Sequence, residues 1–174
     1  MFDRDIPSAI HEVALYGEHF EVRGQLETRP PRRLLDVLND TQINWLALHE
    51  ASIRPLAQEV EGAPVVSPTL IVDKKEIIVA WLVEEAKVEA SEFAAIAKVP
   101  RKVRVYAGHF VMWGDFHSIE DATLIQAVDG VREQFFPLTE PSLVSLSTPW
   151  LSLEDGLLAA VQRDRVTAVQ SGEE

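Results

Sequence analysis

The chain has 174 residues, 47% of them apolar and 25% charged, the proportions of a globular protein that can bury a real core. Its net charge of −12 repels phosphate backbones and anionic lipid, so neither nucleic acid nor a membrane is an expected partner. The absence of cysteine excludes disulfides, thiolate zinc sites and a cysteine nucleophile, and no run approaches the ~20 apolar residues of a membrane span.

Residues 1–9 read as an N-terminal extension. Its start, MFDRDIPSA, is too acidic, and its apolar run too short, for a signal peptide, and a cytoplasmic location is expected. The phrase LYGEHFEVRG then occupies residues 15 to 24 and returns as VYAGHFVMWG at 105 to 114. Sliding the chain by ninety positions aligns 15–56 with 105–146 without a gap. Identical pairs include Tyr16/Tyr106, His19/His109, Phe20/Phe110, Gly24/Gly114, Leu34/Leu124 and Glu50/Glu140. Similarity at one fixed offset over this length marks a repeated structural unit.

Within each copy, Phe20, Val22 and Leu26 alternate with Glu21, Arg23 and Glu27, the period of a strand with one buried face. Gly24 falls on the buried side, where a missing side chain marks a bend or a close backbone approach. In RPPRRLLDVLND, Leu34, Leu35 and Leu38 follow two prolines at helical spacing, which predicts one or two turns of helix. The second copy has DATLIQAVDG, with Asp121 as the predicted N-cap and Gly130 as the stop.

Strands are then expected around WLALHEASIRPL and TLIVDKKEIIVAWLV. Asp73-Lys74-Lys75-Glu76 reads as a hairpin turn inside the latter, and Gln162-Arg163-Asp164-Arg165 as its counterpart. Residues 85–100, rich in Ala and Glu, form a linker, helical or extended. The fold class expected is mainly β with short helices: two tandem, similar small β-barrel or curved-sheet modules at 10–84 and 101–174. Phe20, Leu26, Leu34, Leu38, Leu48, Phe110, Phe116, Leu124 and Leu138 are the predicted core.

The stretch Leu34-Leu35-Asp36-Val37-Leu38-Asn39, followed by Trp45-Leu46-Ala47-Leu48 and Ala51, resembles a family of short uncharacterised bacterial domains. Members carry a glycine in a long strand, a Leu-x-Asp-x-Leu-Asn helix and a Phe-Leu-x-Leu-Thr-x-Ala strand. The second copy departs at Gln126 and Asp129 but keeps Phe136-Pro137-Leu138-Thr139. The resemblance implies a small β-rich fold and brings no catalytic set. A looser likeness to Sm-like and SH3-like barrels rests on element count alone.

Chemistry-bearing candidates are few. His19 and His109 hold matched positions that a two-fold packing of the copies would join as a ligand site, a metal pair or a pH switch, yet neither has a second metal ligand at usable spacing, since Glu21 is answered by Val111. Glu50 and Glu140 are the shared carboxylates, suited either to acid/base work or to accepting backbone amides at a strand turn. Arg29, Arg32 and Arg33 form the basic cluster, a candidate patch for an anion or acidic partner. No nucleophile elbow, dinucleotide fingerprint or P-loop occurs, and no motif calls for a cofactor or a metal.

One asymmetry points to association. The outer positions held by Glu21 and Arg23 in the first copy become Val111 and Trp113 in the second, and Val103 and Val105 extend the apolar row. A strand apolar on both sides must be covered on both sides. The expected function is therefore a non-catalytic bacterial interaction, assembly or regulatory protein, with a homo-oligomer, a two-fold dimer in particular, or another protein as partner. The alternative is a small-ligand-binding protein with its pocket between the repeats near His19 and His109, and a third reading is an enzyme using Glu50 or Glu140.

Overall fold

The computed structural model describes residues 7–57, 61–84 and 98–172. The first half contains β1 (Ala9–Tyr16), β2 (Phe20–Thr28), α1 (Leu34–Asn39), β3 (Trp45–Pro55), β4 (Val65–Asp73), a 3-10 turn at Lys74–Glu76 and β5 (Val79–Glu84). The second half repeats this order. It contains β6 (Val99–Ala107), β7 (Phe110–Ser118), α2 (Leu124–Asp129), β8 (Phe135–Ser145), a short β9 (Ser152–Leu153), β10 (Leu158–Gln162), a 3-10 turn at Arg163–Arg165 and β11 (Val166–Ser171).

All strands join one open antiparallel sheet in the order β11-β6-β7-β8-β10-β5-β1-β2-β3-β4, with β9 on β8. The mainly β class with two short helices is thus as expected. Each half has its last strand beside its first, β5 on β1 and β11 on β6. The halves meet where β10 pairs with β5, Ala160 opposite Ala80 and Ala159 opposite Trp81.

That junction explains why the sequence is apolar without alternation at IIVAWLV and LLAAV. Successive strand residues face opposite sides. Val79 and Trp81 enter one hydrophobic cluster with Tyr16, Phe110 and Val161, whereas Ala80 joins a second cluster with Leu15, Leu38 and Ala160. Strands β1, β5 and β10 are shared by both cores and so are buried on both faces. Phe135 of the second half is fully buried in the first half's cluster. Its N–H donates to Asn39 Oδ1 at 2.7 Å, and Asn39 Nδ2 donates to its carbonyl at 2.9 Å.

The shared glycines mark a shared bulge. The β2–β3 register shifts between Arg23 and Gln25, and the β7–β8 register between Trp113 and Asp115. A Cβ on Gly24 would stand 3.0 Å from Ala51 Cβ and from the His49 carbonyl oxygen; one on Gly114 would stand 3.1 Å from the Thr139 carbonyl oxygen. Across each bulge Glu50 and Glu140 take positive φ, 46° and 49°. The partner strand folds over the glycine, which bends the long strand.

Several local expectations are corrected. The repeat starts one strand earlier than the alternation at Phe20 suggested, with β1 and β6, and Val99 and Pro100 belong to β6; residues 85–97 of the expected linker lie outside the described residues. Asp73–Glu76 is not a hairpin turn, because β4 pairs with β3 while β5 pairs with β1 and β10. It is a 3-10 turn in which Asp73 Oδ1 accepts from Lys75 N–H at 3.0 Å and buried Lys74 Nζ donates to the Asp40 carbonyl at the end of α1. Thr123, not Asp121, caps α2, its Oγ1 accepting from Gln126 N–H. Of the predicted core, Phe20 and Leu124 are half-buried and the other seven are buried.

Phe135 and its repeat counterpart Trp45 separate burial from type: Phe135 is 0% exposed and Trp45 is 59% exposed. Phe135→Ala should cost about 3–5 kcal/mol in chemical denaturation, whereas Trp45→Ala should shift the isolated chain by under about 0.5 kcal/mol. Equal losses for the two would contradict this packing.

Candidate functional site

The residues singled out from sequence serve separate parts of the fold. His19 lies exposed in the β1–β2 turn, its carbonyl accepting from Leu56 N–H at 2.9 Å. His109 lies in the β6–β7 turn, its Nδ1 within 2.9 Å of Ser145 Oγ and 2.8 Å of Ser147 Oγ, its ring 4.0 Å from that of Phe110. The His109 side chain thus ties its hairpin to the end of β8, whereas His19 contributes its backbone carbonyl. Glu50 and Glu140 are exposed at the two bulges, in separate halves, where Glu140 approaches Lys102 Nζ at 3.8 Å. Among the described residues no group of three or more His, Asp or Glu is placed to hold a metal ion.

The basic cluster precedes α1. Arg32 bonds to Asp40, whose carboxyl the Arg32 guanidinium and the Gln42 amide hold below its usual range. The Arg33 N–H donates to Asp36 Oδ2 at 2.7 Å, and Arg29 sits on the rim of a shallow depression with Trp45 and His49. A local carboxylate therefore already answers the Arg32 guanidinium.

Val111 is buried, and Trp113 is half-buried with the Arg104 guanidinium 5.2 Å from its ring centroid. Val103 and Val105 pair with Gly114 and Met112, so they lie on the opposite, inner face from Val111 and Trp113. Where the second half has Val111, the first has Glu21, a carboxylate only 1% exposed. It accepts from Tyr16 Oη at 3.0 Å and Arg23 Nε at 2.8 Å, and it is ion-paired with Arg54. Arg54 in turn stacks over Trp150 of the second half at 4.8 Å. Burial alone would raise the Glu21 carboxyl, but hydrogen bonds from Arg54 and Arg23 outweigh it and hold the group below its ordinary value. Burial and then the Glu21 charge push the Tyr16 hydroxyl upward. Through Arg54 and Trp150 this cluster ties the halves together, and its carboxylate is buried.

Open surface lies at the two ends of the sheet. Beneath α2 is a cavity of about 550 Å³ lined by Val103, Val105, Leu124, Val128, Phe136 and Val169, among others. α1 buries Leu34, Val37 and Leu38, whereas α2 buries none of its residues, and Ile125 is 71% exposed. At the other end β4 is an edge strand, and Trp45 and Ala47 of β3 share an exposed face with Ile71 of β4, which stands opposite Ala47 and is 64% exposed. The sequence pattern missed both features. Leu124, Val128, Trp45 and Ile71 carry the same apolar signal as residues that are buried, and no periodicity tells a covered strand face from an open one.

No protein-family model, no curated protein and no solved structure matches the chain. Among the described residues, no helix is long and apolar enough to cross a membrane.

The Glu21 cluster makes a pH-dependent prediction. Because the folded-state pKa of Glu21 lies below the ordinary value of 4.5, its contribution is complete above that value and is lost as pH falls through the lower folded value. Glu21→Gln should cost about 1.5–3 kcal/mol at neutral pH, because it removes the charged acceptor that Tyr16, Arg23 and Arg54 share. It should also lose less further stability on acidification than the parent does. Equal denaturation midpoints for the two proteins at neutral pH would contradict this.

Proposed function

We propose that the protein is a non-catalytic assembly or regulatory component that acts by protein–protein contact, its halves serving as two tandem small β modules. The observation that carries this reading is the pair of open apolar surfaces at opposite ends of a sheet that is otherwise closely packed: the cavity beneath α2 and the Trp45–Ala47–Ile71 face beside β4. Apolar patches rimmed by polar residues are commonly interaction sites, and an unpaired edge strand is a template for another strand. Ser145 and Ser147 hold His109, and Glu50 and Glu140 occupy the matched positive-φ positions of the two bulges in separate halves, which further favours contact over catalysis.

A small-ligand reading has one observation in its favour: the cavity volume lies in the range that takes a drug-sized molecule. Its site would then be the apolar groove of the second half and not the neighbourhood of His19 and His109. The two readings differ in what touches the groove. With a photo-reactive side chain at Ile125 or at Ile71, in protein expressed in its native host, both positions should form adducts of protein mass after irradiation. Adducts with small molecules alone, or none at either position, would overturn the contact reading.

A further inference from the structure

We propose that the groove beneath α2 is filled by the β4 end of a second copy of this chain, head to tail, with Trp45 and Ile71 entering it. The inference rests on the contact reading above and names its partner. The chain already contains one such joint. In it β10 lies antiparallel on β5, Ala160 opposite Ala80, and the Gln162 N–H extends the ladder to the Ile78 carbonyl at 2.9 Å. Beside that ladder Phe135 fills the first half's core under α1, with Asn39 holding its backbone.

Every part of this joint has a repeat counterpart, and the counterparts are the parts left open. The 3-10 turns Lys74–Glu76 and Arg163–Arg165 stand 89 positions apart. That offset carries β10 onto Thr69–Asp73 of β4 and places Ile71 where Ala160 is. The ninety-residue offset of the earlier segment places Trp45 where Phe135 is and Ala47 where Pro137 is. Phe135 and Ala160 are 0% exposed, while Trp45 and Ile71 are 59% and 64% exposed. On the receiving side, β5 maps onto β11 and α1 onto α2, the two walls of the open groove. β4 and β11 are the two edges of the sheet among the described residues.

Transferring the β10–β5 register puts Thr69 opposite Ser171, Leu70 opposite Gln170, Ile71 opposite Val169 and Val72 opposite Ala168. Pro68 has no N–H to give and ends the ladder there, which matches the five-residue length of β10. The side-chain contact at the end of the ladder is not carried over: Asp73 takes the place of Gln162, whose side chain donates to the Lys74 carbonyl, and a carboxylate cannot donate to the Arg163 carbonyl in that position. A second feature is weaker in the second joint, since Asp129 replaces Asn39 and can accept from a Trp45 N–H but not donate to its carbonyl. A head-to-tail contact leaves one groove and one edge free in any dimer, so association continues until a ring closes. This differs in kind from a two-fold dimer through Trp113.

Because the chain has no cysteine, the register can be tested with single additions. Ile71→Cys and Val169→Cys proteins are prepared separately and oxidised alone and as a mixture, and the parent and Trp45→Glu are sedimented at micromolar concentration. A disulfide-linked pair is expected only in the mixture, from a parent that sediments as more than a dimer. Trp45→Glu should weaken association at least about thirtyfold, as loss of a central aromatic anchor does, with an unchanged denaturation midpoint for the dissociated chain. A monomeric parent, a multimer without the mixed disulfide, or disulfide formation by either variant alone would overturn the proposal. A monomeric parent whose photo-reactive positions join a different protein would overturn it too, while leaving the contact reading standing.

Discussion

The ladder between β5 and β10 is the constraint on which the rest of the molecule depends. It is four residue pairs long, yet its strands form the wall between two cores, and each successive side chain packs into the core its neighbour does not. Separating the two strands would open both cores at once and withdraw Phe135 from beneath α1. Apolar burial scales with area removed from water, so a short ladder with both faces covered holds more than its hydrogen bonds alone. The Glu21–Arg54–Trp150 cluster and the bond from Thr148 Oγ1 to the Leu56 carbonyl, 2.9 Å long, reinforce the same boundary.

The two halves use one plan in unequal circumstances. The first has a neighbour over its β5 side, so α1 lies over a filled core; the second has none among the described residues, and α2 lies over a cavity. The same inequality runs through the polar residues. Tyr16, Arg23 and Arg54 satisfy a buried carboxylate at Glu21, whereas Val111, in the place of Glu21, is buried, and Trp113, in the place of Arg23, is half-buried beside the Arg104 guanidinium. The two halves share the plan of the joint, and differences at single positions suit each face to what covers it.

How far the sequence discloses this depends on the kind of feature. The bulges and helices were legible because each is a local demand: a glycine under a folded-over strand, leucines at helical spacing; the polar tetrapeptides marked a change of direction but read as hairpin turns. Strands β1 and β5 hid their alternation because both faces are buried, which erases the period-2 signal. The pairing of β4 with β3 alone was not legible either, since a turn shows only that the chain changes direction and not which strand each arm joins. As for the site, matched histidines and glutamates stood out by identity, but they sit at matched hairpin and bulge positions of separate halves. Trp45 and Phe135 both register as apolar, and only the three-dimensional arrangement separates the one that is covered from the one that is open.

The central claim is that the two halves form one cooperative body through the β5–β10 ladder. Native-state hydrogen exchange on the full chain tests it most directly. Backbone amides of Val79–Leu82 and Ala159–Val161 should exchange only through the opening that releases Val13–Tyr16 of β1 and Val103–Ala107 of β6, at the free energy of global unfolding. Exchange of the β10 amides through a cheaper opening, while those of β1 stay protected, would make β10 an appendage and contradict the account.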